Sequence, residues 1–258
     1  MDLLKLFLGI HGVNTSVTPP QPSGTKKVTN TSSALDSRVL NSVSRIVQCV
    51  AQNNEQAQKE LTESGVLKQA IELLKEIIGS ESHELSTSDA DLMRSLISGI
   101  GSIIRSAIPP QNLFLQNGGV ALLLRCLQLC LKQDPVDCAC LRKVTLVVLG
   151  LVKTDDSQTR TKTLADIAEN CNDEFSGHLA AALNINDVQV RENIANMLRS
   201  LQQTPKAVEL FPSICGKMSP NPSLYNAVKN AMEKALRDNV AVEELKAVLA
   251  ILRSKSTS

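Results

Sequence analysis

From Ala34 almost to the C-terminus, apolar residues return at every third or fourth position, the spacing of one face of a helix. Val39, Val43, Ile46, Val47 and Val50 set out the first such face. A polar break, QNN at 52–54, interrupts it; Gln58, Leu61 and then Ser64-Gly65 predict a short helix and its stop. Val66, Ala70, Leu73, Leu74 and Ile77 form the next apolar face, and STSDADL at 86–92 offers N-cap residues for a further helix. That helix carries Leu92, Leu96, Ile100, Ile103 and Ile104 and is expected to stop at Pro109-Pro110, since proline cannot continue a helix. Leu113, Phe114 and Leu115, a turn at Gly118-Gly119, and the run Val120 to Leu131 follow. Past Pro135, further helices read at Leu141 to Leu151, 160–170, 174–184 and from Val190 on, and the amphipathic, more charged segments 222–236 and 240–254 close the chain as a cap. No stretch alternates with period two between strand-spaced turns, so the chain reads as all-α.

The order of these parts repeats. With Gly65 laid on Gly119, AQNNEQAQKELTESGVLKQAIELL and SAIPPQNLFLQNGGVALLLRCLQ share a polar break, a short amphipathic piece, a glycine turn and a longer apolar run. A third copy runs from Val190 to Met218, with Gln202-Gln203-Thr204-Pro205 in place of QNNE. Three helices in roughly 40 to 47 residues is the armadillo pattern. The expected fold is thus all-α, an armadillo-repeat right-handed α-solenoid, whose stacked units share a core and form a concave groove. Residues 1–12 are a short apolar segment, 13–33 a flexible polar linker rich in Pro, Ser, Thr and Asn, and 34–256 the repeat domain with its C-terminal helical cap.

Composition narrows the function classes. Of 258 residues, 43% are hydrophobic but only 2% aromatic, so the core is aliphatic, as stacked helices allow. Lys+Arg 27 against Asp+Glu 26 leaves a net charge of +1, and without a basic excess or stacking aromatics nucleic acid is not an expected partner. No run approaches the roughly 20 apolar residues that span a bilayer, so no membrane partner is expected. MDLLKLFLGIHG has Asp2 where a signal peptide wants positive charge, and it lacks a small-x-small cleavage site. The cytoplasm is the expected location, with the endoplasmic reticulum lumen as the alternative. The Asn14 and Asn30 sequons would matter only there. The seven cysteines lie mostly in apolar helical patterns and are expected to be buried free thiols.

Candidate chemistry is sparse. Cys138-Ala-Cys140 lacks zinc-ligand spacing, and His11, His83 and His178 are expected in loops or at helix ends, far from it in sequence. Neither metal nor other cofactor is expected. There is no G-x-S-x-G, H-E-x-x-H, P-loop or dinucleotide fingerprint. Gly99 and Gly101 fall within a helical pattern, where small residues let helices approach. The chain is not expected to be an enzyme.

AQNNEQAQKELTESGVLKQAIELLKE, GSIIRSAIPPQNLFLQNGGVALLLRCLQ (Gly101 to Gln128) and LRKVTLVVLGLV (Leu141 to Val152) together resemble the armadillo-type nucleotide-exchange factors of heat-shock protein 70 chaperones. The resemblance covers residues 38–153 well and the rest by pattern. It implies a co-chaperone whose concave face holds the chaperone's nucleotide-binding domain and promotes ADP release, aiding client release; nothing in the sequence demands more than a monomer. It also implies that the N-terminal segment, through Leu3, Leu4, Leu6, Phe7 and Leu8, occupies the chaperone's substrate groove as a client would. Groove-facing polar positions are the expected partner contacts: Lys68, Glu72 and Lys75 in one unit, Arg125, Gln128 and Lys132 in the next, with Arg105 and Asn112 flanking the loop between. The alternative is an armadillo adaptor or scaffold that binds another protein in its groove. With no Trp, the tryptophan ladder of peptide-binding import receptors is excluded.

Overall fold

The computed structural model describes residues 31–79, 85–171, 174–215 and 222–253. The N-terminal segment, including Leu3, Leu4, Leu6, Phe7 and Leu8, lies outside the described residues, as do His11 and His83. Every described element is a helix, in two compact units divided after Ile103.

Unit one holds α1 (Thr31–Ala51), α2 (Glu55–Glu63), α3 (Val66–Gly79) and α4 (Thr87–Ile103). Asn54 caps α2 by accepting from the Ala57 N–H, and Gly65 ends the turn at φ +83°, a left-handed value that costs glycine nothing. Ser86 caps α4 by accepting from the Asp89 N–H. α1 packs along α4, and α3 packs on the same helix. At the α1–α4 contact Gly99 is buried over the Ser44 carbonyl; an added Cβ would stand 3.4 Å from that oxygen, an ordinary contact, so the approach does not depend on glycine. Leu92, Leu96, Ile100 and Ile103 are buried as their spacing predicts. On α1 the expected face is corrected: Val43 and Val47 are buried, but Ile46 and Val50 are each 44% exposed. The five apolar positions span a wider arc than one neighbouring helix covers.

Unit two holds α5 (Ile108–Gln116), α6 (Gly119–Lys132), α7 (Cys138–Lys153), α8 (Ser157–Cys171), α9 (Glu174–Asn184), α10 (Val188–Gln203), α11 (Pro205–Leu210), α12 (Pro222–Asp238) and α13 (Val242–Arg253). Pro109-Pro110 does not terminate α4, which stops at Ile103; both prolines sit in the first turn of α5, where a missing N–H costs nothing. In chain order the helices run first, second, third: α4–α5–α6, α7–α8–α9 and α10–α11–α12. The first helices of these triads begin at Thr87, Cys138 and Val188, 51 and 50 residues apart. That step exceeds the expected 40 to 47, because the first helices run 16 or 17 residues.

A polar ladder ties α7, α10, α12 and α13. Asp187 caps α10 through the Val190 N–H and pairs with Arg142 at 2.7 Å. Burial alone would raise the Asp187 carboxyl; the bonds from Arg142 and from backbone N–H groups outweigh it and hold the group below the ordinary carboxylate range. Asn193, buried in α10, donates to the Arg142 carbonyl and the Thr145 hydroxyl. Arg191, only 1% exposed, reaches Asp238 at 2.6 Å, and Arg199 reaches Glu244 at 3.2 Å.

Candidate functional site

The two short-helix hairpins fix which surface positions correspond. Asn54 and Ala107 are the N-cap residues, Gln58 and Gln111 are the buried glutamines, and Gly65 and Gly118 take positive φ, +83° and +72°. Every pair is 53 residues apart, so Gly65 corresponds to Gly118 rather than to Gly119. The one-residue correction aligns Glu72 with Arg125 and Lys75 with Gln128.

The corrected register explains what these side chains do. On α3 the Lys75 ammonium meets the Glu72 carboxylate at 2.8 Å, and on α6 the Arg125 guanidinium donates to Gln128 Oε1 at 3.4 Å. The same rung, three residues apart along a third helix, carries acid and base in one unit and base and amide in the other. Lys68 is exposed one turn before Glu72. Arg125 and Gln128 are half-buried and Lys132 exposed, at the successive spacings of one α6 stripe. Each trio thus lies along one stripe of its own helix, Lys68, Glu72 and Lys75 on α3 and Arg125, Gln128 and Lys132 on α6. Arg105 is exposed just before α5. Asn112, exposed on α5, accepts from the Thr159 hydroxyl of α8 at 3.4 Å, which ties it to second helices and away from the α6 stripe.

A residue that the sequence reading set aside joins this stripe. His178 lies in the middle of α9, not in a loop or at a helix end, and it is half-buried. Its Nδ1 makes no hydrogen bond among the described residues. Burial holds its imidazole below the ordinary histidine range; Glu174 opposes that shift and Lys132 adds to it, so the three side chains are electrostatic neighbours. The available signal was the apolar company of Phe175, Leu179 and Leu183 on the same short helix, which makes full solvation of a mid-helix histidine improbable. Arg125 and Lys132 thus put two cations on one α6 stripe of unit two, with Gln128 between them and with His178 and the Glu174 carboxylate beside Lys132 on α9.

The thiols offer no nucleophile there. Cys126, Cys130, Cys140 and Cys215 are buried, whereas Cys49 is exposed and Cys138 half-buried. Burial pushes the Cys126 thiol up; hydrogen bonding to Cys140, with burial, pushes Cys130 up. Burial likewise takes Cys215 to about 11, its thiol lying 3.6 Å from the Leu201 and Ala207 carbonyls. Raised values favour the unreactive protonated form. Among the described residues no three His, Cys, Asp or Glu side chains are placed to hold a metal ion.

No protein-family model matches the sequence, and no curated protein matches it. Solved structures do. A designed armadillo repeat protein in complex with the peptide (KR)4 is 12% identical, covers 98% of this chain over all of its own length, and superposes with a TM-score of 0.56. The armadillo-repeats-only protein of Plasmodium falciparum is 13% identical over 97% of this chain and 92% of its own, with a TM-score of 0.57. At such identities the likeness speaks to the fold alone, and the fold of this chain is the all-α armadillo-repeat fold.

Proposed function

We propose that this chain is a non-catalytic scaffold that binds an acidic segment of a partner protein along the Arg125, Gln128, Lys132 and His178 strip. The armadillo fold supports the scaffold reading, since the designed relative carries a bound peptide. The observation that carries the choice of partner is the pair of cations, Arg125 and Lys132, on one stripe of α6, opposite in sign to what a (KR)4 peptide would seek. Fluorescence anisotropy with an acidic octapeptide and with (KR)4 tests it. The acidic peptide should bind, and Arg125→Glu with Lys132→Glu should weaken it at least about tenfold with an unchanged melting profile. Equal binding of both peptides, or an affinity indifferent to the double reversal, would reject the strip.

A finer reading is nucleotide exchange on a 70-kDa heat-shock chaperone, supported by the sequence resemblance over residues 38–153. Linkage sharpens its test: a factor that weakens ADP binding must itself be displaced by ADP in the same ratio. Stopped-flow release of a fluorescent ADP analogue should accelerate by an order of magnitude or more; unchanged release from cytosolic and lumenal chaperones would leave the scaffold reading alone. The free cysteines favour a reducing compartment, the cytoplasm, for either role.

A further inference from the structure

Three buried thiols meet in one corner of unit two. Cys126 and Cys130 stand one turn apart on α6, and Cys140 lies in the first turn of α7, which packs against α6. All three are fully buried. Asp137 accepts from the Cys140 N–H, which fixes the backbone that carries this thiol. The Cys130 and Cys140 thiols hydrogen-bond to each other, and Cys126 is an electrostatic neighbour of both. Elsewhere the surroundings differ: Cys215 lies against the Leu201 and Ala207 carbonyls, Cys49 is exposed on α1, and Cys138 has Arg142 as its electrostatic neighbour one turn along α7.

The chain that joins the pair is short and open at the surface. Cys140 follows Cys130 by ten positions, and Lys132, Asp134, Pro135 and Ala139 between them are exposed. Thiols already in contact need only side-chain rotation to reach the roughly 2.05 Å of an S–S bond. We propose that Cys130 and Cys140 form a reversible disulfide that pins the end of α6 to the first turn of α7 when the surrounding thiol pool becomes oxidised. The oxidant is a low-molecular-weight disulfide of the glutathione class. One protein thiolate attacks it, giving a mixed disulfide and releasing one glutathione thiolate. The second protein thiolate then attacks the protein sulfur and expels the other glutathione, so two electrons and two thiol protons end on two glutathiones. Because both sulfurs are buried, exchange waits on local opening of the link at 133–137, and it is slow beside reaction at exposed Cys49.

The test holds the full native chain in a buffer of reduced and oxidised glutathione, quenches it with iodoacetamide and maps the unreduced peptides. A Cys130–Cys140 cross-linked peptide should appear after Cys49 has been converted. The melting midpoint should rise by at least about 5 °C, and dithiothreitol should reverse both changes. Cys126→Ala should keep the cross-link, whereas Cys130→Ala should abolish it together with the rise in midpoint. Should Cys130→Ala fail to fold, the peptide map of the unaltered chain and the Cys126→Ala variant still decide the matter. Cys130 and Cys140 found fully alkylated after a day, with Cys49 wholly converted, would overturn the proposal. So would a Cys126–Cys140 or Cys130–Cys138 bond, a disulfide between two chains, or a cross-link that leaves the midpoint unchanged.

Discussion

The hairpin Asn54–Gly79 and its counterpart Ala107–Lys132 follow one backbone course with different chemistry at nearly every supporting point. Asn54 caps its helix with a side chain, whereas Ala107 has no side-chain cap and is followed by two prolines that preset the first turn. After the glycine turn, Val66 stands where the second hairpin has Gly119, and Leu61 stands where it has Phe114. The volumes have been exchanged across the corner: a large ring with no side chain opposite it, or two middle-sized aliphatics. Gln58 donates to both the Ala51 and Ser102 carbonyls, while Gln111 donates to Ile104 and accepts from Thr154. The positive-φ glycine and the buried glutamine recur; caps, corner packing and surface charge vary. The turn geometry and the buried carbonyl constrain the hairpin, and the outward rung on the third helix is left open to a partner.

The corner offers the strongest way to break this comparison. Any Cβ at Gly119 meets the Phe114 ring, so Gly119→Val should cost about 3 kcal/mol in urea denaturation. Adding Phe114→Leu, which rebuilds the first hairpin's pair, should recover a large part of that loss; strict additivity would show that the two corners are not equivalent. Next come the glutamines. Gln58→Ala should cost about 2 kcal/mol, since it removes two buried bonds to backbone carbonyls, and Gln111→Ala nearer 1 kcal/mol, since its second bond is to a hydroxyl. Asn54→Ala should cost about 1 kcal/mol through the lost cap, with no counterpart effect available at Ala107. Least of all, Glu72→Gln should change stability by only about 0.3 kcal/mol, because the Lys75 pair is solvated, whatever it does to binding.

Much of the helical layout was legible because an aliphatic core repeats at 3.6 residues and polar breaks are strong local signals. The QNN break became the Asn54 cap, and Ser64-Gly65 the left-handed turn. Other features depend on neighbours that no local pattern names. Ile46 and Val50 share helical spacing with Val43 and Val47, and only the direction of α4 decides which pair is covered. Pro109-Pro110 marks a boundary in sequence without saying on which side the helix lies. The alignment of Gly65 to Gly119 matched residue types; backbone conformation, which selects Gly118, is the property the turn requires. Arg191 would be placed at the surface by its type, and its partner Asp238 lies 47 residues along the chain. For the candidate site, spacing set Arg125, Gln128 and Lys132 on one stripe, but His178 joins them only through the packing of α9.

The buried glutamines also bear on how the chain acquires its structure during synthesis. Gln58 and Gln111 each bond a carbonyl seven residues back, at or just beyond the end of the preceding first helix. Closing so short a loop takes on the order of 10–100 ns, far less time than a ribosome needs to add one residue. The bend between first and second helix can therefore form as soon as the glutamine has emerged, before the next repeat exists to bury it. The nascent chain can then present each new helix pair already turned, so that assembly follows the order of translation.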